Sequence, residues 1–216
     1  MLSDDAPAAS AERDAGPADA RAARRLDLEQ ARGILEAQLA HGVSYRAHAG
    51  VSSSALKRLG RRATQLRVAD DTAGAARGAL RDFAHIVAGA AVGGARHDPG
   101  ATPGHSVRVL RRDVERALAL THNTHYARER AGEEADLPNE PVWRLVREAA
   151  DQSAHAEGGA VEFEAEALHD IKRAAERFLA ALFGAAARLA QHAGRATVQQ
   201  GDVELAHEVR AMAHGH

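Results

Sequence analysis

Five cationic side chains fall within residues 57–67 and could bind a phosphate-rich polyanion. They are Lys57, Arg58, Arg61, Arg62 and Arg67. Lysine and arginine attract phosphate by charge and donate several N–H groups to its oxygens. Most runs of charge are the solvated face of an ordinary helix, so these residues alone leave both interpretations open.

The charge of the chain is distributed unevenly. The 216 residues include 28 Lys and Arg against 30 Asp and Glu, for a net charge of -2. Residues 1–45 carry -3, residues 46–130 carry +8 and residues 131–216 carry -7. A basic surface attracts phosphate whatever charge lies elsewhere on the chain. The middle segment is therefore the candidate polyanion-binding face.

Residues for other kinds of chemistry are missing from the sequence. The chain has no cysteine, which excludes disulfides, thiolate nucleophiles and cysteine-type zinc sites. It also has no HExxH, no nucleophile elbow and no GK[ST] after the loop at His105. The histidine pairs His122 with His125 and His214 with His216 lack a third ligand, so we interpret them as solvated. We expect no enzyme, no catalytic residue, no cofactor and no metal.

A membrane partner is not expected either. A membrane-spanning helix needs about 20 consecutive apolar residues, and glycine or charge interrupts every candidate run.

The composition predicts an all-α fold. The chain has 52 alanines, whereas aromatic residues make up 3% of it, which favours helix over strand. Residues 1–18 are polar and are predicted to form a disordered tail. Residues 19–45 are predicted to contain an amphipathic N-terminal helix that ends at Gly42.

A pattern of a short, a long and a short helix then occurs twice. In residues 46–121 the predicted helices are Ser53–Ala63, Asp71–Ala95 and Leu110–Thr121. Ser52, Ser53 or Ser54 is expected to cap the first of these helices, and Asp70 with Asp71 the second. After a linker over residues 122–139, the helices predicted in residues 140–216 are Glu140–Ser153, Glu164–Ala193 and Gln200–Met212.

Both halves resemble core histones. Phe163–Arg210, which contains LFGAAARLAQHAGRATVQQGD, resembles core histone three from its central helix to its third helix, and RLVRE at Arg144–Glu148 resembles its first helix. Ala49–Val68 (AGVSSSALKRLGRRATQLRV) is similar to the first helix and loop of core histone four. Arg77–Phe83 and Arg112–Leu118 are similar to its central and third helices. The arrangement resembles the histone doublets of large DNA viruses. Archaeal histone doublets look similar but would not explain the separate match of each half.

The resemblance implies two histone folds clasped as an intramolecular pseudo-dimer, a histone-four-like one at 46–121 and a histone-three-like one at 140–216. It also implies wrapping of duplex DNA without sequence specificity, in nucleosome-like particles. The positions it assigns to DNA contact are Lys57, Arg58, Arg61, Arg62, Arg67, Arg108, Arg144, Arg147, Arg195 and Thr197.

The two ends of the expected pseudo-dimer differ. At one end Arg67 is expected beside Thr197, as in the family. At the other end Glu162 stands where the family has a minor-groove arginine, and Arg108 stands where it has a threonine. An acid there would repel phosphate. Arg108 is expected either to take over the DNA contact or to pair with Glu162.

Two further interpretations concern the end of the chain. Arg195 and Asp202 could form an internal clamp, or Arg195 could contact DNA; in the first half Ser106 replaces the clamping arginine opposite Asp113, so the equivalent clamp is expected to be lost. The resemblance also implies self-association of two doublets into a tetramer-like particle. The residues it assigns to that surface are His192, Asp202, Leu205 and Val209.

The sequence thus predicts a DNA-packaging histone doublet, with other histones as possible further partners. Its expected location is chromatin or a nucleoid, or the virion and host nucleus if the source is viral. The alternative is a histone mimic, or a histone-fold interaction or transcription subunit, that does not wrap DNA.

Overall fold

The computed structural model describes residues 50–98, 106–121, 123, 126, 137–155 and 160–214. The predicted tail, the N-terminal helix, the loop around residues 99–105 with His105 and most of the linker lie outside these residues. His122, His125, His216 and the side chain of His214 lie outside them too.

The described residues form two successive segments with a short, a long and a short helix. The elements of the first segment are α1 (Ser53–Ala63), β1 (Arg67–Val68), α2 (Thr72–Arg96), β2 (Val107–Val109) and α3 (Arg111–Leu120). Those of the second segment are α4 (Asn139–His155), β3 (Val161–Phe163), α5 (Ala165–His192), β4 (Thr197–Val198) and α6 (Gln200–His214). All six helices lie where the hydrophobic periodicity predicts them. The short strands in the connections were not predicted.

The helix starts confirm one predicted cap and correct another. Ser52 caps α1, because its Oγ accepts the N–H of Ala55 at 3.3 Å. The prediction that Asp70 and Asp71 cap α2 is wrong. Asp71 already has helical backbone angles and makes no side-chain cap, whereas an N-cap residue is normally extended. Asp70 instead accepts a hydrogen bond from Lys57.

The end of α5 follows the predicted stop at Gly194. This residue has a φ of 69°, the left-handed conformation that glycine adopts without steric cost. The N–H of Gly194 donates to the carbonyl of Gln191 at 2.9 Å, and the N–H of Arg195 donates to that of Ala190 at 2.8 Å. These two bonds form a Schellman motif, which turns the chain toward β4 and fixes the position of Arg195.

Strands from the first segment pair with strands from the second. β1 runs parallel to β4, with Arg67 opposite Thr197 and Val68 opposite Val198. β2 runs parallel to β3, with Arg108 opposite Glu162 and Val109 opposite Phe163. We call these the first strand pair and the second strand pair. Each pair joins a connection of one segment to a connection of the other.

The hydrophobic core lies between the two segments. α1 packs on α5, and α2 packs on α4 and α6. In the middle, Phe83 of α2 stacks on Phe178 of α5 with ring centroids 4.8 Å apart, and Tyr126 meets both rings edge-on. Neither long helix could bury its apolar face within its own segment, since the opposite segment covers it.

None of the helices in the described part of the chain combines the length and the apolar character of a membrane-spanning segment.

Candidate nucleic-acid interface

Helix α1 presents the basic run on its outer face. Leu56 and Leu59 are buried against the core, which leaves Arg58, Arg61 and Arg62 on the exposed side of the helix. Lys57 is partly buried and its Nζ lies 2.6 Å from Oδ1 of the exposed Asp70. An exposed ion pair of this kind stabilises the fold little. Lys57 therefore contacts the start of α2, whereas Arg58, Arg61 and Arg62 make up the basic surface.

The first strand pair adds a further exposed cation to this surface. Arg67 is exposed and Thr197, its register partner, is half-buried beside it. A shallow hollow next to the pair is lined by Arg61, Gln65, Leu66, Arg67 and Val68. Within the described part of the chain, neither Arg61 nor Arg67 forms an ion pair within 4 Å. Two arginines therefore line one hollow and form no ion pair among the described residues, although the charge of Arg61 helps to lower the pKa of Asp70.

Arg195 lies close to this strand pair, but its half-buried guanidinium is bound by a carboxylate of the protein. Its Nη1 and Nη2 donate to the two carboxylate oxygens of Asp202, both at 2.7 Å. Asp202 also accepts the N–H of Gln199 at 2.9 Å, which caps the start of α6. The hydrogen bond from Arg195 lowers the pKa of Asp202. The structure thus contains the predicted clamp, and a DNA contact by Arg195 remains a prediction.

The first segment lacks the equivalent clamp, as predicted. Asp113 occupies the same place on α3, where its Oδ2 accepts the N–H of Leu110 at 2.9 Å. Its Oδ1 is buried and has no hydrogen-bond partner within the described residues. Ser106 stands where the arginine would be and is too short to replace it.

The second strand pair places opposite charges side by side. Arg108 and Glu162 are register partners, and both are exposed. Across residues 106–121 and 160–214 no ion pair joins them within 4 Å. Of the two expected roles of Arg108, a direct pair with Glu162 is therefore absent, and DNA contact remains a prediction.

Other cations near the second strand pair already have carboxylate partners. Nε of Arg111 lies 3.0 Å from Asp170 and 3.2 Å from Glu115. Arg173 also pairs with Asp170, and Arg112 pairs with Asp98.

The predicted phosphate-binding residues Arg144 and Arg147 are exposed on α4.

The predicted self-association surface, which comprises His192 at the end of α5 and three residues of α6, is exposed except at one residue. His192 is exposed, and Leu205 and Val209 are 45% and 52% exposed. Asp202 is instead buried in its clamp, with its side chain 7% exposed. Met212, which is 59% exposed, was missed, although its spacing from Leu205 and Val209 places all three on one helix face.

Sequence reasoning also missed how the chain between the two segments is anchored. The guanidinium of Arg210 lies 4.8 Å from the ring centroid of Tyr126 and 5.1 Å from that of Phe178. Its Nη2 donates to Oδ1 of Asn123 at 3.2 Å, and Arg177 donates to the carbonyl of Tyr126 at 2.7 Å. Burial raises the pKa of Tyr126. Only the aromatic residue in the linker could have pointed to this contact.

Three helices in a short-long-short order, joined by short strands that pair in parallel, define a histone fold. The family model of the core histone domain, which describes core histones two-A, two-B, three and four, matches residues 115–209 of the chain. Among solved structures, the chain is similar to the histone from Methanopyrus kandleri, with 20% sequence identity and a TM-score of 0.54. That similarity covers 72% of this chain and 92% of the archaeal one. No curated protein sequence matches the chain. The chain is a histone-fold protein.

Proposed function

We propose that this protein is a histone doublet, in which a histone-four-like fold at residues 46–121 and a histone-three-like fold at 140–216 form one intramolecular pseudo-dimer. Both strand pairs and the stacked Phe83 and Phe178 join the two segments. The structural similarity covers 72% of the chain, which is more than either segment alone could supply.

The doublet binds and wraps duplex DNA through its phosphates, without reading base sequence. One observation carries this proposal: Arg61 and Arg67 line a single hollow beside the first strand pair, and neither forms an ion pair within 4 Å among the described residues, although the charge of Arg61 helps to lower the pKa of the exposed Asp70. An exposed arginine of this kind keeps its five donors for phosphate oxygens or for the minor groove. The exposed face of α1 with Arg58 and Arg62 extends the same surface.

A second copy of the chain covers the exposed face of α6. Leu205, Val209 and Met212 form this face, which together with His192 at the end of α5 we call the α6 surface. Three large apolar side chains at helical spacing, each about half exposed, favour burial against a like surface. The result is a dimer of doublets, to which further histones could add. Chromatin or a nucleoid is the location that fits a DNA-wrapping histone fold, or the virion and host nucleus if the source is viral.

Salt-dependent DNA binding combined with nuclease protection tests the proposal. Each neutralised phosphate contributes about -0.9 to the slope of log affinity against log salt concentration. We expect a steep slope, no preference among duplexes of different sequence and a discrete protected length. Arg67→Glu should weaken binding more than Arg188→Glu, which makes the same charge change at an exposed position on α5.

A second candidate is a histone mimic or histone-fold interaction subunit that does not wrap DNA. Glu162 in the second strand pair and the charge of -7 in residues 131–216 favour it. It predicts weak DNA binding whose affinity changes little with salt concentration, and tight binding to separate core histones. That combination of results, or equal effects of Arg67→Glu and Arg188→Glu, would exclude DNA wrapping through the first strand pair.

A further inference from the structure

We infer that the protein holds DNA at only one of its two strand pairs, and that Glu162 is the residue that excludes DNA from the other. The inference rests on the proposed DNA binding and specifies its geometry. It predicts a complex with two different ends, in which the first strand pair binds the duplex and the second strand pair does not.

The two strand pairs are built alike, so their charges can be compared directly. In each pair an exposed arginine lies in register with a residue of the other segment, in parallel strands. The main chain is bonded equally well at both: the N–H of Ala69 donates to Val198 and that of Glu164 donates to Val109, each at 3.0 Å. The difference lies in the partner side chain, which is the neutral Thr197 in one pair and the acidic Glu162 in the other.

The surroundings of the first strand pair leave positive charge unmatched. α1, which contacts β1, ends with Arg61 and Arg62. Lys57 is matched by Asp70, whose pKa the charge of Arg61 also lowers, and Arg195 is matched by Asp202, while Asp71 remains as an exposed acid. Arg61 and Arg67 both face the hollow.

The surroundings of the second strand pair leave no such excess among the described residues. α4, which contacts β3, carries Asp151 and no lysine or arginine in its last two turns. Arg111 is shared between Asp170 and Glu115. Glu164 and Glu166 follow Glu162 at the start of α5. Arg96 at the end of α2, which contacts β2, donates to the carbonyl of Ala154 at 3.3 Å. Of the two strand pairs, the second alone has an acid, Glu162, in register with its arginine.

A phosphate that approaches Arg108 at the second strand pair also comes near Glu162, because the two residues are in register on neighbouring strands. Neighbouring strands lie about 4.8 Å apart, which is well inside the Debye length of about 8 Å at physiological salt. Repulsion from Glu162 therefore offsets the attraction of Arg108 at every phosphate position that the pair can reach. Removing the acid should free Arg108 for one phosphate contact.

Two substitutions, each of which changes one charge, test the inference in the full-length chain. Glu162→Gln should steepen the salt slope by about 0.9, and Thr197→Glu should flatten it by about 0.9, because it gives the first strand pair the acid of the second. Glu162 is exposed and Thr197 is half-buried. The urea midpoint of each variant checks that the fold is unchanged.

Cleavage from a tethered probe gives the second measurement. The chain has no cysteine, so Gln65→Cys and Ser106→Cys each create one attachment point for an iron chelate that cuts nearby DNA. Each position lies two residues before the arginine of its strand pair. We expect cleavage from position 65 and none from position 106, and cleavage from 106 once Glu162→Gln is added.

The outcomes separate this inference from the proposed function. Equal cleavage from positions 65 and 106 in the chain with Glu162 overturns the inference but leaves DNA wrapping standing. An unchanged slope for Glu162→Gln together with a flattened slope for Thr197→Glu does the same. A slope of log affinity against log salt near zero for the unaltered chain, with no cleavage from either position, rejects both the proposed DNA binding and the inference.

Discussion

Gly60 of α1 lies against the ring of Phe183 of α5, so closely that a Cβ at residue 60 would be 3.0 Å from Cε1 of the ring. Phe183 is fully buried, and two more of its ring atoms would lie at 3.1 Å. The contact joins the first helix of one segment to the long helix of the other. It therefore makes the fit between the segments sensitive to a single methyl group.

Gly60→Ala should lower the free energy of unfolding by about 1–3 kcal/mol, because overpacking a rigid core costs about that much. Gly78→Ala is the matched control. It lies inside helix α2 with nothing within 4 Å of the added Cβ, so it should stabilise the protein by about 0.5–1 kcal/mol through helix propensity. Urea unfolding followed by circular dichroism measures both. Equal stabilisation by the two changes would show that α1 and α5 separate without cost.

Asp202→Asn should destabilise the fold at neutral pH by about 1.5–3 kcal/mol, since it removes the charge from a carboxylate that binds both guanidinium N–H groups of Arg195. Asp113→Asn, at the equivalent place on α3, should cost less because Asp113 has no arginine partner among the described residues. Urea midpoints of the two variants check the difference. A larger loss at Asp113 would contradict the assignment of the clamp.

The same carboxylate makes part of the stability depend on pH. The pKa of Asp202 is lower in the folded chain, chiefly through the hydrogen bond from Arg195. A lowered pKa stabilises the fold above the unfolded-state value, about 3.9 for aspartate, and this stability is lost as pH falls through the folded value. Acidification below about pH 4 should therefore narrow the gap in urea midpoint between the unaltered chain and Asp202→Asn. A gap that stays constant from pH 7 to pH 3 would rule out this linkage.

Arg210→Met should reduce the unfolding free energy by about 1–2 kcal/mol. The change keeps the apolar stem but removes the cation from the rings of Tyr126 and Phe178, where such contacts contribute about 0.5–2 kcal/mol. It also leaves Oδ1 of the buried Asn123 without this donor. Arg188→Met on the exposed face of α5 is the control and should have little effect. Equal urea midpoints for the two variants would mean that Arg210 does not hold Asn123 and Tyr126 in place.

Val209→Glu should convert the proposed dimer of doublets to single chains, because it places a charge in the centre of the α6 surface. Leu120→Glu introduces the same charge at the end of α3, where the side chain is 50% exposed against 52% for Val209. Sedimentation equilibrium at several protein concentrations distinguishes the two. If Leu120→Glu lowers the association as much as Val209→Glu, the α6 surface is not the contact.

Local patterns were enough to predict the helices. All six begin and end within about two residues of the predicted positions, because their apolar residues repeat with the helical period and Ser52 and Gly194 mark two of the boundaries. The resemblance to histones further predicted that Arg67 would lie beside Thr197, a contact between distant residues that no local pattern encodes.

Contacts that depend on tertiary structure were not accessible in this way. Asp70 looked like a helix cap but bonds to Lys57, since the fold brings the middle of α1 near the start of α2. The contact of Arg210 with Tyr126 requires the linker to return to α6, and its spacing in sequence carries no signal. Asp202 looked available for self-association because the sequence left open whether Arg195 would bind it.

Parallel pairing of β1 with β4 has a consequence for how the protein is made. Arg67 leaves the ribosome 130 residues before its strand partner Thr197. During synthesis the apolar faces of α1 and α2 therefore remain uncovered, and the entropy of closing so long a loop must be repaid by contacts that form late. Nascent chains are prone to aggregation in this interval, so we expect the first half to engage chaperones until α5 and α6 are complete.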